Sequence, residues 1–211
     1  MVARRGHDDD AGTASRILDV AEGLVQVRGF NGFSYADVAT ELGITKAALH
    51  YHFAGKADLG SALITRYASR FSGALAGIDA DGLGADAKLA AYADLYLQVL
   101  RDHKMCLCGM LAAEYQTLPR PMRDAVIAFF DSNESWLEGV LAQGRDEGRL
   151  RFAGSARDTA RMVVASLEGA MLVARPYGDL VRFQDAAASL LAGLTATDAR
   201  PLAARAAAGR G

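Results

Sequence analysis

Proline and cysteine are scarce in this chain of 211 residues, at four and two, and aromatic side chains make up only 8%. Each scarcity excludes something. Few prolines leave long helices uninterrupted, and few aromatics beside abundant alanine favour helix over sheet. Cys106 and Cys108 lie too close together for a structural disulfide, which agrees with a reducing compartment. No apolar run approaches the ~18–20 residues of a membrane span. The opening MVARRGHDDDAG has no apolar core of the kind a secretory signal needs, so a cytoplasmic protein with no membrane partner is expected. Basic excess is missing too: the net charge is −2, and residues 1–56 carry six Lys or Arg against seven acids. Any nucleic-acid binding must therefore use a local patch rather than the whole field.

What is present is a chain 51% hydrophobic, enough for one large or two small domains. Residues 1–12 and 198–211 read as a disordered arm and tail. Between them the apolar periodicity is helical throughout. A first helix is expected from Thr13, as N-cap, to Arg28, with Ile17, Val20, Ala21 and Leu24 on one face and Gly29 as stop. A second follows Ser34, a third follows Thr45, and a longer one starts near Lys56. The Gly- and Asp-rich IDADGLGAD then breaks the pattern. Further helices are expected at about 85–102, 106–117, 120–148, 155–175 and 183–195. The fold class is all-α.

The stretch ADVATELGITKAALHYHF is the most specific. A small residue, Ala39, four before Gly43 and five before Ile44, has the spacing of a helix-turn-helix. Close helix crossing needs the small side chain, the tight turn needs a residue tolerant of left-handed backbone, and Ile44 plugs the angle. Thr45 can cap the next helix. With Leu49 and Phe53 buried, that helix carries Lys46, Ala47, His50 and Tyr51 on its other face, with His52 to one side. Thr45, Lys46 and Ala47 occupy the end that reaches base edges in a major groove. Lys56, opening the next helix, can hold a phosphate together with free N–H groups. A metal held by His50 and His52 is excluded, because residues two apart on a helix point about 200° from each other. No cofactor is expected.

GFSYADVATELGITKAALHYHFAGKADL resembles the DNA-binding segment of the TetR/AcrR family of transcriptional regulators, over about residues 13–63. Its ending, Tyr51, Phe53, Lys56 and Leu59, is the specific part. The resemblance implies a three-helix DNA-binding domain (13–55) joined by a linking helix to a helical ligand-binding and dimerisation domain (56–197). It implies a homodimer that represses a promoter and leaves its double-stranded operator when a small-molecule effector binds. It implies that Ser34 and Tyr35 touch phosphates, that Lys46 and Ala47 approach bases, and that His50, Tyr51, His52 and Lys56 hold the backbone. His50 stands where the family commonly has tyrosine, and Ala47 where glycine is frequent.

The C-terminal half offers weaker signals. Tyr92, Tyr96, Cys108, Met110, Glu114, Tyr115, Phe130, Asn133 and Met171 are the candidates for an effector cavity, since Met and aromatic residues with a few polar groups line such cavities. The same residue types build any core. Cys106 and Cys108 read as core, as a thiol sensor or helical thiol enzyme, or as a soft-metal site with His103 and Met110. A Cys108, His103 and Glu114 nucleophile has no oxyanion hole, so no enzyme is expected. For the dimer, Ala160, Val164, Leu167, Gly169, Ala170, Met171 and Ala174 on one long helix, paired with the 120–148 helix, would make a four-helix bundle. Packing within one subunit and the 183–195 helix are the competing readings.

Overall fold

A computed structural model describes the backbone of residues 5–195 and the side chains from residue 12 onward. The expected C-terminal tail and the first four residues of the expected arm lie outside the described residues. Among the described residues there are nine α-helices: α1 (Arg5–Arg28), α2 (Tyr35–Leu42), α3 (Lys46–His52), α4 (Lys56–Ala80), α5 (Ala85–Arg101), α6 (Leu107–Ala113), α7 (Arg120–Asp146), α8 (Ala156–Ala174) and α9 (Leu180–Leu194). A 3-10 turn at Tyr115–Thr117 precedes α7, and another at Arg175–Tyr177 precedes α9. The pairing of Leu150 with Thr195 is an isolated bridge, and among the described residues no helix is long and apolar enough to cross a membrane.

The helix boundaries follow the local chemistry. Helix α1 starts at Arg5, so Thr13 lies inside it and is not its cap. Propensity explains the difference: nothing in the segment before Thr13 breaks a helix except Gly6 and Gly12, each worth only about 1 kcal/mol. The Ser34 hydroxyl and N–H both donate to the Asp37 carboxylate, at 2.6 and 2.7 Å, which closes the start of α2. Gly43 stands at φ 66, in the left-handed region, and the Ile44 N–H reaches back to the Ala39 carbonyl at 3.0 Å. Thr45 accepts the Ala48 N–H at 3.2 Å and so caps α3.

Packing joins these elements into one core. Ile17, Ala21, Val38, Leu49 and Leu59 are almost fully buried and close α1–α4 around a small N-terminal unit. Charged groups also tie α1 to α4: Arg66 meets Asp19 at 2.7 Å and Glu22 at 3.0 Å, and Arg70 pairs with the same Glu22. Helix α4 then runs on into the larger bundle, where α7, α8, α5 and α9 pack side by side.

Five of the seven α8 residues expected to make the dimer are used inside the subunit, while Ala170 is half-buried and Gly169 exposed. Ala160, Val164, Leu167, Met171 and Ala174 are all buried among neighbouring helices. The reason is register: helical spacing marks one apolar stripe, and α7 and α9 of the same chain take it. A second stripe remains. Met162, Ala165, Gly169, Leu172 and Val173 are exposed on α8, with Val181 exposed on α9.

Candidate nucleic-acid interface and effector cavity

Helix α3 presents the residues its pattern promised. Leu49 is fully buried, which turns Lys46, Ala47, His50 and Tyr51 outward. Tyr51 is 76% exposed, with its ring edge-on to His52 at 5.2 Å. An exposed tyrosine on a helix of a small domain contributes little to packing, so its use lies with a partner. Lys46 makes no ion pair among the described residues.

Five predicted contact residues converge on one notch. Ser34, Tyr35, Lys46, His50 and Lys56 line an open depression of about 400 Å³ between the start of α2 and α3. The Tyr35 hydroxyl donates to the Phe53 carbonyl at 3.0 Å, and its ring lies 4.8 Å from that of His50. Burial, then the Asp58 charge, pushes the Tyr35 phenol up to about 12, so it stays a neutral donor. His50 Nδ1 sits 3.1 Å from the Ala54 carbonyl, which can only accept, so Nδ1 is the donor there. The nearby acids are occupied: Asp37 by Ser34, and Asp58 by the Gly55 N–H at 3.0 Å. Hydrogen bonds from Ser34, ahead of the Arg28 charge, hold the Asp37 carboxyl below its ordinary range.

Lys56 is engaged within the chain. Its ammonium donates to the Phe30 carbonyl at 2.5 Å and to the Phe33 carbonyl, and lies 4.7 and 4.3 Å over their rings. Burial holds its pKa below the usual lysine value, against the raising effect of Glu114 and Asp37. Lys56 edges the notch but belongs to the turn between α1 and α2.

The effector candidates scatter. A cavity of about 580 Å³ lies between α4 and α7 and is walled by Ile64, Phe71, Leu75, Phe129 and Trp136, with Thr65, Asp79, Ser132 and Asn133 among its polar points. Of the expected lining only Asn133 is there; it accepts the Tyr92 hydroxyl at 3.3 Å and donates to the Phe129 carbonyl at 2.8 Å. Tyr92 and Tyr96 form a second layer, their hydroxyls 3.1 Å apart and their rings edge-on to Phe71 at 6.0 and 6.2 Å. Phe130 packs on Phe129 from outside the lining, and Tyr115 lies under Arg123. Phe71 and Trp136, the single tryptophan, form the cavity wall and are not among the expected lining residues, although Trp136 recurs at helical spacing with them.

Glu114 is likewise not a cavity residue. Its carboxylate accepts the Phe30 N–H at 2.6 Å and the Asn31 N–H at 3.3 Å, beside Gly29 at φ 83. A side chain at Gly29 would strike that carboxylate. No sequence signal marks this contact, which joins residues 84 apart.

Cys108 and Met171 are buried, and Met110 is half-buried. The Met171 sulfur accepts the Cys106 N–H at 3.3 Å, and Met110 lies 3.4 Å from Arg175. Burial, with Glu168 next in effect, pushes both thiols well above their ordinary range. Thiolate, the reactive form, is thereby suppressed. No group of three metal-ligating side chains is placed to hold an ion among the described residues.

Residues 17–63 match the family described as bacterial regulatory proteins, tetR family, and residues 85–190 match the tetracyclin repressor-like C-terminal domain. The chain belongs to the TetR family of transcriptional regulators. A TetR-family regulator from Agrobacterium tumefaciens is 34% identical with a TM-score of 0.86, covering 89% of this chain and all of that one. One from Legionella pneumophila is 33% identical with a TM-score of 0.80, covering 87% of this chain and 97% of its own. The reduced form of E. coli NemR shares the fold, with a TM-score of 0.78 at 23% identity over 89% of this chain and 99% of its own. No functionally curated protein matches. The N-terminal match spans most of α1, all of α2 and α3, and the start of α4.

Proposed function

We propose that the protein is a cytoplasmic, homodimeric repressor, released from a pseudopalindromic operator by a small apolar or amphipathic molecule held between α4 and α7. The observation that carries this is the shared use of α4. Its first residue, Lys56, holds the turn behind the notch, and Thr65, Phe71, Ser72 and Leu75 farther along it line the 580 Å³ cavity. A ligand that changes the tilt of α4 changes the position of the recognition helix. An effector with higher affinity for the DNA-incompetent arrangement shifts the population away from operator.

On DNA, Lys46 and Ala47 approach base edges, and Ser34, Tyr35, His50, Tyr51 and His52 hold phosphates. Two subunits placing their α3 helices about 34–36 Å apart read successive major grooves. The exposed α8 stripe with Val181 of α9 supplies an apolar, self-complementary surface for that pairing.

The test is binding of purified protein to DNA from its own upstream region, followed by effector screening on the complex. Specific, salt-dependent binding that a cavity ligand reverses is the expected result. Binding no tighter than to bulk DNA overturns the reading. Thiol sensing gains nothing from two buried thiols with raised pKa values.

A further inference from the structure

A second cavity, about 330 Å³, opens where the turn after α5 meets the junction of α8 and α9. Its walls carry Arg101, His103, Lys104 and Arg175 against a single acid, Asp179. The acid is already engaged: it caps α9 by accepting the Val181 N–H at 2.9 Å and faces Arg182 at 3.6 Å. Lys104 and His103 have no carboxylate within ion-pairing distance among the described residues, and Arg101 reaches Asp94 only at 4.0 Å. Arg175 has a carbonyl and a thioether as partners, never a carboxylate. Three cations, Arg101, Lys104 and Arg175, beside the His103 imidazole in a concave site form a positive focus that an oxyanion would relieve.

The backbone adds an independent observation. Helix α5 ends with the Lys104 N–H bonded to the Val99 carbonyl at 3.1 Å and the His103 N–H to the Leu100 carbonyl at 2.9 Å. That double bond pattern places His103 in the left-handed position glycine normally fills, at φ 58. It is the sole non-glycine residue with positive φ among the described residues, while Gly178 fills the same conformation across the cavity at φ 60. Strain retained where glycine would remove it points to a use for the imidazole.

We propose that this cavity binds a small molecule bearing a carboxylate or phosphate on a compact apolar body. Arg101, His103 and Lys104 meet the oxyanion, and Leu100 and Leu180 face the body. The site lies on the seam between the two parts of the chain: Arg175 donates to the Val27 carbonyl of α1, and the Met105 N–H bonds the Gln26 carbonyl at 3.2 Å. An anion there bears on α1 without touching the α4–α7 cavity. The proposal does not rest on operator binding or on the effector reading.

Calorimetric titration of the full-length protein with benzoate, phenyl phosphate and neutral benzamide tests it directly. Saturable binding of one or both anions, absent for benzamide, is expected; which anion binds separates a carboxylate site from a phosphate site. Lys104→Gln should weaken that binding about fivefold or more. His103→Gly should weaken it too while holding or raising the melting temperature, which separates a lost contact from a lost fold. Lys46→Ala, on the DNA-facing notch, should leave it unchanged. No anion binding, equal binding of benzamide, or sensitivity to Lys46→Ala instead of Lys104→Gln overturns the proposal.

Discussion

The Glu114 carboxylate accepts the Phe30 N–H at 2.6 Å while Lys56 donates to the carbonyl of the same Phe30 at 2.5 Å. One residue of the α1–α2 turn is thus gripped through its N–H from the end of α6 and through its carbonyl from α4. Replacing Glu114 by Ala leaves two N–H groups unpaired, a cost of about 1–3 kcal/mol. Urea denaturation should show that loss, and DNA affinity should fall with it. Stability equal to wild type would mean the contact is dispensable.

Lys46 and Lys56 should separate cleanly despite sharing the notch. Lys46→Ala removes one phosphate- or base-facing charge per subunit and should flatten the salt dependence of operator binding by about one unit of slope per site contacted. Lys56→Ala should instead lower the melting temperature, because its ammonium satisfies two carbonyls. A salt slope that changes for Lys56 with unchanged melting returns it to the phosphate-binding set.

Glu168 gives the protein a pH-dependent stability. Burial, against a lowering hydrogen bond from Cys106, raises its carboxyl to about 7, and its Oε1 has no partner. A carboxyl with a raised folded pKa favours the fold fully below its unfolded value and loses that contribution as pH rises through the folded one. Stability should therefore fall between about pH 4.5 and 7, by at most on the order of 3 kcal/mol. Glu168→Gln should flatten this window in thermal melts across pH, and a slope that persists assigns it to another group.

Filling the α4–α7 cavity should uncouple effector from DNA. Ala128 lines that cavity and is itself exposed, so Ala128→Trp adds bulk without displacing the core. Operator affinity should stay within about twofold while effector response disappears. Retained response in a gel-shift titration would place the effector elsewhere.

Leu172, 62% exposed on α8, is the probe for dimerisation. Leu172→Asp should convert dimer to monomer in sedimentation velocity, since a charge at the centre of an apolar interface has no partner. A dimer that survives moves the interface to another face.

Local chemistry made much of the molecule legible in the sequence. The Ala39, Gly43 and Ile44 spacing and the Thr45 cap belong to residues within one or two turns of each other, and burial of Leu49 determines which way Tyr51 faces. Periodicity placed α5, α7, α8 and α9 to within a few residues for the same reason. Tertiary structure alone decided the rest. Whether α8 gives its apolar stripe to a partner or to α7 and α9, whether Phe71 and Trp136 border a void, and whether Glu114 reaches Phe30 all depend on helices distant in sequence. Helical spacing reports that a side chain points inward; what it meets there is settled only when another helix arrives.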